Sequence, residues 1–335
     1  YDNGLTLIVE EDRSAPVASV QAWCATGSIH EGTKMGAGMS HILEHMLFKG
    51  TTSRAPGEIA KQIQNRGGYI NAYTSFDRTV YWIDTPADGA LEAVEILADA
   101  MQNATLPEAE YTKEQEVIRR EFAMGFDDPS RQSSQLMLDT VFKESPYRHP
   151  VIGYLDVYNK LTREDVLNYY KSRYVPNNLT FVVVGDVSAA KIHEELGKHF
   201  ASTPRSALDP IYIANEPSQM GPREIHEEFP TELSRLSLSW RIPGLTNSDT
   251  PALEILGDIL GGGASSRLNR EIRRRTDVVG IFPDRPSLIR LVGAVLLEQN
   301  DEYQLQHRYM QTEAMAELTP LTIDAVANEI ATIAA

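Results

Sequence analysis

The sequence predicts an α+β protein of two related domains, each a mainly antiparallel sheet packed with helices. Three observations lead there. Short β-rich runs with alternating apolar side chains are interleaved with stretches of helical period. Turn-length links join successive β-runs, which brings neighbours together antiparallel. Finally, the order around Trp23, a strand, then a polar glycine-containing loop, then an apolar helix, comes again around Trp240. On this reading residues 1–205 form the first domain, 206–221 a linker within a stretch rich in Pro, Ser and Asn, and 222–335 a second, shorter copy.

Leu5-Thr6-Leu7-Ile8-Val9 is β-rich and follows the turn signal Asn3-Gly4. Val17 to Trp23 alternates and reads as its hairpin partner across Glu11-Asp12-Arg13-Ser14. Gly27, Gly32, Gly36 and Gly38 punctuate the link to an apolar run, Met39 to Phe48, read as a buried helix. A second helix starts at Pro56 and ends at Arg66, before Gly67-Gly68. Tyr69 to Thr74 and Thr79 to Asp84 read as strands joined around Ser75-Phe76-Asp77-Arg78. Asp88 to Asn103 has a core-helix period. Pro107 opens a long helix that breaks at Asp127-Asp128-Pro129. Phe181 to Asp186 is an apolar strand and Ala189 to Phe200 a helix. In the second half, Leu236, Leu238 and Trp240 alternate in β fashion, Leu253 to Leu260 is an apolar helix, and 302–335 reads as helical.

The chemistry is concentrated in the first apolar helix. His41 and His45 are four apart and share a face with Glu44, in the order H-x-x-E-H. Neutral imidazoles at i, i+4 converge on one metal ion without bending the backbone. Glu44 would then be placed to take a proton from water, whose pKa a metal ion lowers to about 7. Burying this much polarity is costly unless it is paired or metal-bound. Cys24 is the only cysteine, so no intrachain disulfide forms and a thiolate site is excluded, which leaves a carboxylate as the natural third ligand. Glu114 and Glu121 lie two turns apart on one face of the long helix, and on chemistry alone either suits.

His41 to Thr51, Gly67 to Thr74, Thr79 with Tyr81, and Glu114 to Glu121 together resemble the pitrilysin or insulinase-like family of inverted zinc peptidases, which includes the mitochondrial processing peptidase β-subunit and bacterial homologues. The likeness continues through Tyr147 to Gly153, Tyr174 to Leu179 and Phe181 to Asp186. It implies a LuxS/MPP-like metallohydrolase fold and one Zn2+ per chain. In that family the third ligand follows the second His by some seventy residues. Glu121 stands 76 after His45 (121 − 45), so the resemblance selects His41, His45 and Glu121 as ligands. It also implies Glu44 as general base, Glu114 as the residue orienting the site, and Asn71 with Ala72 on an edge strand that receives substrate backbone. His149, in a loop beside Pro150, reads as structural.

The second half departs from the family. Leu253 to Leu260 carries no histidine and cannot hold a metal in the same way. Gly261 to Leu268 lacks the Lys and spacing of a phosphate loop. The resemblance instead implies a glycine-rich loop followed by a substrate-contacting Arg and Tyr. Arg273 is the candidate Arg, but Gly280 stands seven residues on and Val278 to Phe282 contains no Tyr. From Glu216 to Ala335 there are only 120 residues (335 − 216 + 1).

The net charge of −16 argues against nucleic acid, whose phosphates need a basic surface. An acidic cavity favours basic peptides, while an acidic surface equally serves solubility. No run reaches the roughly 18 apolar residues that span a bilayer. An acidic chain opening without Met leans towards a periplasmic or organellar compartment, with the cytoplasm open. The predicted function is therefore a zinc-dependent endopeptidase or oligopeptidase acting on extended peptides, as a homodimer or a heterodimer with a related subunit. The alternative is a non-catalytic or partner-dependent subunit of a heteromeric complex.

Overall fold

The computed structural model describes residues 1–231 and 235–261. The chain divides into two compact units, Tyr1–Ser239 and Trp240–Ala335. The first unit is built on a five-stranded sheet: β1 (Thr6–Glu11), β2 (Val17–Cys24), β3 (Tyr69–Thr74), β4 (Thr79–Pro86) and β5 (Leu179–Gly185), in the order β1-β5-β2-β4-β3. β1 and β5 run parallel and every other pair is antiparallel.

This order corrects the predicted β1–β2 hairpin. β5 lies between the two, hydrogen-bonded to β1 on one side and β2 on the other. The reason is burial. A central strand must satisfy both backbone edges and fill the core, and Leu179, Phe181 and Val183 do so. β1, which ends in Glu10-Glu11, suits a sheet edge. The short link after Glu11 steps over the end of β5, with Asp12 N donating to Gly185 O (2.8 Å) and Asp186 N to Val17 O (2.9 Å). Gly185 is needed there. Its φ is +139°, and a Cβ would sit 2.2 Å from Val17 O.

The helices are α1 (Met39–Leu47), α2 (Glu58–Asn65), α3 (Ala90–Asn103), α4 (Glu108–Asp127), α5 (Pro129–Val141), α6 (Leu155–Tyr158), α7 (Arg163–Arg173) and α8 (Ala189–Phe200). α3 packs against β2, β4 and α8, while α1 packs against β3, α4 and α7. One sheet face therefore closes the core, with Val20, Ala22, Tyr81, Ile83 and Phe181 meeting Ile42, Leu43, Met46 and Leu47 of α1 and Val94, Leu97 and Met101 of α3. Each such side chain contributes about 1.5–3 kcal/mol by leaving water. Asp128 ends α4 and caps α5, accepting from Ser130 N at 2.8 Å, as the Asp-Asp-Pro break predicts. α5 itself is absent from the sequence-based reading.

Of the second unit, residues 240–261 are described and contain α9 (Thr250–Leu260), as expected. The predicted alternation at Leu236, Leu238 and Trp240 forms no strand, and all three side chains are exposed. Alternation supplies a face, but a strand also needs a neighbour for its hydrogen bonds, and the described residues offer it none. Arg273, the segment Val278 to Phe282 and the predicted final helix lie outside the described residues. Among those described, no helix is long and apolar enough to cross a membrane.

Candidate metal centre

The motif helix sits where it does because both its ends and its apolar stripe are held. Ile42, Leu43, Met46 and Leu47 are buried in the core, so His41, Glu44 and His45 are turned to the opposite side, towards α4 and β3. Gly38 caps the helix with φ +71°, and a Cβ there would lie 2.1 Å from Ile152 O. The buried Glu31 accepts from Gly38 N (3.1 Å) and Ser40 N (2.9 Å), satisfying orphan donors of the first turn. Burial pushes the Glu31 carboxyl up to about 7 despite these bonds.

Across from α1, α4 buries Tyr111, Glu114, Ile118 and Phe122 on one face and carries Glu121 beside them. The packing of the two helices brings His41 Nε2 to 3.5 Å from Glu121 Oε2, and His45 Nε2 to 3.7 Å from Glu121 Oε1. One ligand atom from each of the three residues lies within 4.8 Å of the others, and no other such group occurs among the described residues. Ligands about 2.0–2.1 Å from a tetrahedral ion stand about 3.4 Å apart, so this donor set fits a metal of zinc's size.

Protonation agrees with that fit. Burial, reinforced by the nearby His45, holds His41 down at about 3, which leaves a neutral imidazole. His45 Nδ1 lies 3.0 Å from Glu114 Oε2; the carboxylate requires Nδ1 to carry the proton, leaving the Nε2 lone pair free on the side of Glu121. Lys49 Nζ takes the other Glu114 oxygen at 2.6 Å. Burial pulls the Glu114 carboxyl up, but the bonds from Lys49 and His45 outweigh it and hold it below the ordinary value. Cys24 is buried, which pushes its thiol up to about 12, so it stays protonated and offers no ligand.

Glu44 is raised above its usual value by burial, against a 2.6 Å hydrogen bond from Thr74 Oγ1. Asn71 and Ala72 lie on β3, one of the two edge strands of the sheet. Asn71 donates from Nδ2 to Tyr69 OH (2.7 Å), and its Oδ1 accepts from Ala72 N (2.8 Å). His149 is paired with Tyr154, Nδ1 to OH 3.1 Å, away from the donor set. Glu31, Lys49 and Thr74 were missed by sequence reasoning. Lys49 follows the motif helix closely and carried a signal, whereas nothing local marks Glu31 or Thr74.

Two imidazoles and a carboxylate around one point, with a further carboxylate beside them on a mixed α+β scaffold, make a group able to hold a metal ion. The family model for insulinase (peptidase family M16) matches residues 6–153, and the model for the peptidase M16 inactive domain matches 160–284. The chain belongs to this family, and its architecture is duplicated as predicted. The sheet bonds of β5 nevertheless keep residues after 160 in the first compact unit.

Among relatives, an uncharacterized zinc protease of Mycobacterium leprae is 33% identical over 275 residues, 81% of this chain and 61% of that protein. The probable mitochondrial-processing peptidase subunit beta of Arabidopsis thaliana is 30% identical, over 77% of this chain and 49% of that protein. The chain thus spans roughly half to three-fifths of these relatives' length. In fold it is similar to a protease from Helicobacter pylori, with a TM-score of 0.76 at 24% identity, covering 99% of this chain and 84% of the other.

Proposed function

We propose that this chain is the metal-binding part of a zinc-dependent endopeptidase or oligopeptidase that hydrolyses extended peptides. The observation that carries the reading is the gathering of His41, His45 and Glu121 within 4.8 Å, with the Glu44 carboxylate tied to β3 by Thr74. His41 Nε2, His45 Nε2 and the Glu121 carboxylate hold the ion, and Glu114 fixes the His45 ring through Nδ1. Zinc, when bound, supplies Lewis-acid polarisation of the scissile carbonyl and lowers the pKa of water to about 7. Glu44 accepts a proton from the attacking water and delivers it to the leaving amine nitrogen. Burial of Glu44 favours the protonated form that this delivery needs. The exposed edge of β3 at Asn71 and Ala72 receives the substrate backbone by strand addition.

The test is cleavage of an unstructured basic peptide, with chelator sensitivity and zinc content measured together. Glu44→Gln should keep its zinc and lose cleavage. Undiminished cleavage by Glu44→Gln sinks the mechanism.

A second reading, a subunit active only alongside a related chain, is favoured by the similarity to a protein named as a processing-peptidase subunit. Cleavage that rises on adding a co-purifying partner selects it. Cleavage by the isolated chain at constant specific activity across concentrations rejects it.

A further inference from the structure

The structure points to a positioning residue for the proposed reaction. We propose that Thr74 holds the Glu44 carboxylate at the end of the free edge of β3, so that the strand receiving the peptide also sets the place of the proton carrier. This rests on the peptidase reading above.

Ser75 N donates to Arg78 O at 2.8 Å, and the register runs on through Thr74↔Thr79, Tyr73↔Val80 and Ala72↔Tyr81. In an antiparallel pair, hydrogen-bonded and non-bonded positions alternate. Ser75, Tyr73 and Asn71 therefore bond to β4, and the backbone groups of Thr74 and Ala72 face outwards. One contact agrees with this: Ala72 N donates to Asn71 Oδ1 at 2.8 Å and not to β4.

Thr74 thus holds Glu44 through Oγ1 at 2.6 Å, from the end of the strand whose free edge faces outwards. A side chain without the hydroxyl leaves the strand in place and removes this bond. The free edge of β3 is open to a peptide at Ala72 once the Asn71 side chain swings aside, and the Glu44 carboxylate stands at the Thr74 hydroxyl. A peptide pairing along the edge runs out of main-chain partners where the carboxylate stands, which delivers its next peptide group to Glu44. Small displacements of a catalytic group cost on the order of 10²-fold in rate, so losing the hydroxyl tether affects turnover rather than peptide affinity.

Steady-state cleavage of the basic peptide by wild type, Thr74→Val and Thr74→Ser, with zinc content and near-UV circular dichroism, tests this. The Val variant should keep its zinc, hold KM within about twofold and lose roughly 10- to 100-fold in kcat, and the Ser variant should recover most of it. Thr74→Ala carries the same expectation, so a hydroxyl-free chain can be assayed even if Val does not fold. Wild-type kcat in the folded hydroxyl-free variants, a loss confined to KM, or a Ser variant as impaired as Val each overturns the role of Thr74 and leaves the peptidase reading intact. A zinc-loaded wild type that cleaves nothing, alone or with a partner, overturns the peptidase reading itself.

Discussion

His45 Nδ1 and Glu114 Oε2 stand 3.0 Å apart, and Lys49 Nζ closes on the second Glu114 oxygen at 2.6 Å. A cation, a carboxylate and an imidazole are thereby lined up behind His45 Nε2, fixing the ring's tautomer and its aim.

Breaking that line should weaken the metal without removing it. Glu114→Ala is expected to lower zinc affinity by about 10- to 100-fold in competition with a chromophoric chelator, the range for carboxylates that orient a ligating imidazole. Lys49→Met should cost less, since the Glu114–His45 contact remains. Equal affinity in Glu114→Ala and wild type contradicts the arrangement.

Removing a donor should act differently. Glu121→Gln is expected to take bound zinc from about one per chain to far below that after dialysis, because two imidazoles alone leave the ion two ligands short of four. Retention of a full equivalent shows that Glu121 is not a ligand.

The capping of α1 predicts a pH effect. The Glu31 carboxyl is raised from 4.5 to about 7 by burial, so the folded chain holds its proton more tightly than the unfolded chain. The stability this contributes is fully present below about 4.5 and is lost as pH rises through about 7. The span is on the order of 3 kcal/mol. Glu31→Gln should flatten the fall in melting temperature between pH 5 and 8. An unchanged slope refutes the assignment.

Gly38→Ala tests the seat of the motif helix. With φ +71° and a Cβ 2.1 Å from Ile152 O, the substitution should cost at least about 1–2 kcal/mol and weaken zinc retention, because His41 is displaced with the first turn. Denaturant unfolding with and without zinc gives both numbers.

Ala72→Pro tests the edge of β3. The Ala72 N–H bonds to Asn71 Oδ1 rather than to β4, so proline removes no ladder bond while denying a main-chain donor to an incoming peptide. KM should rise by about tenfold, one lost hydrogen bond of about 1–1.5 kcal/mol, with zinc content unchanged. A rise in KM matched by loss of zinc points to misfolding instead.

The sequence by itself determined the parts whose cause is local. His41, Glu44 and His45 share a face because a helix turns every 3.6 residues, and the apolar positions between them dictate which side is buried. The long helix and its Asp-Asp-Pro break, and the strands either side of Ser75 to Arg78, were legible for the same reason. Tertiary structure decided what depends on distant partners. β5 enters between β1 and β2 from more than 150 residues away, because a central strand must satisfy both backbone edges and bury its side chains, and no local pattern announces which strand will do so. The residues alone left Glu114 and Glu121 equivalent. The packing of α4 on α1 separates them, sending one to Nδ1 of His45 and the other between two Nε2 atoms. Thr74, through the packing of β3 on α1, and Glu31, through its fold-back onto the first turn, reach the motif helix only in the folded chain, unlike the histidines, which lie on it.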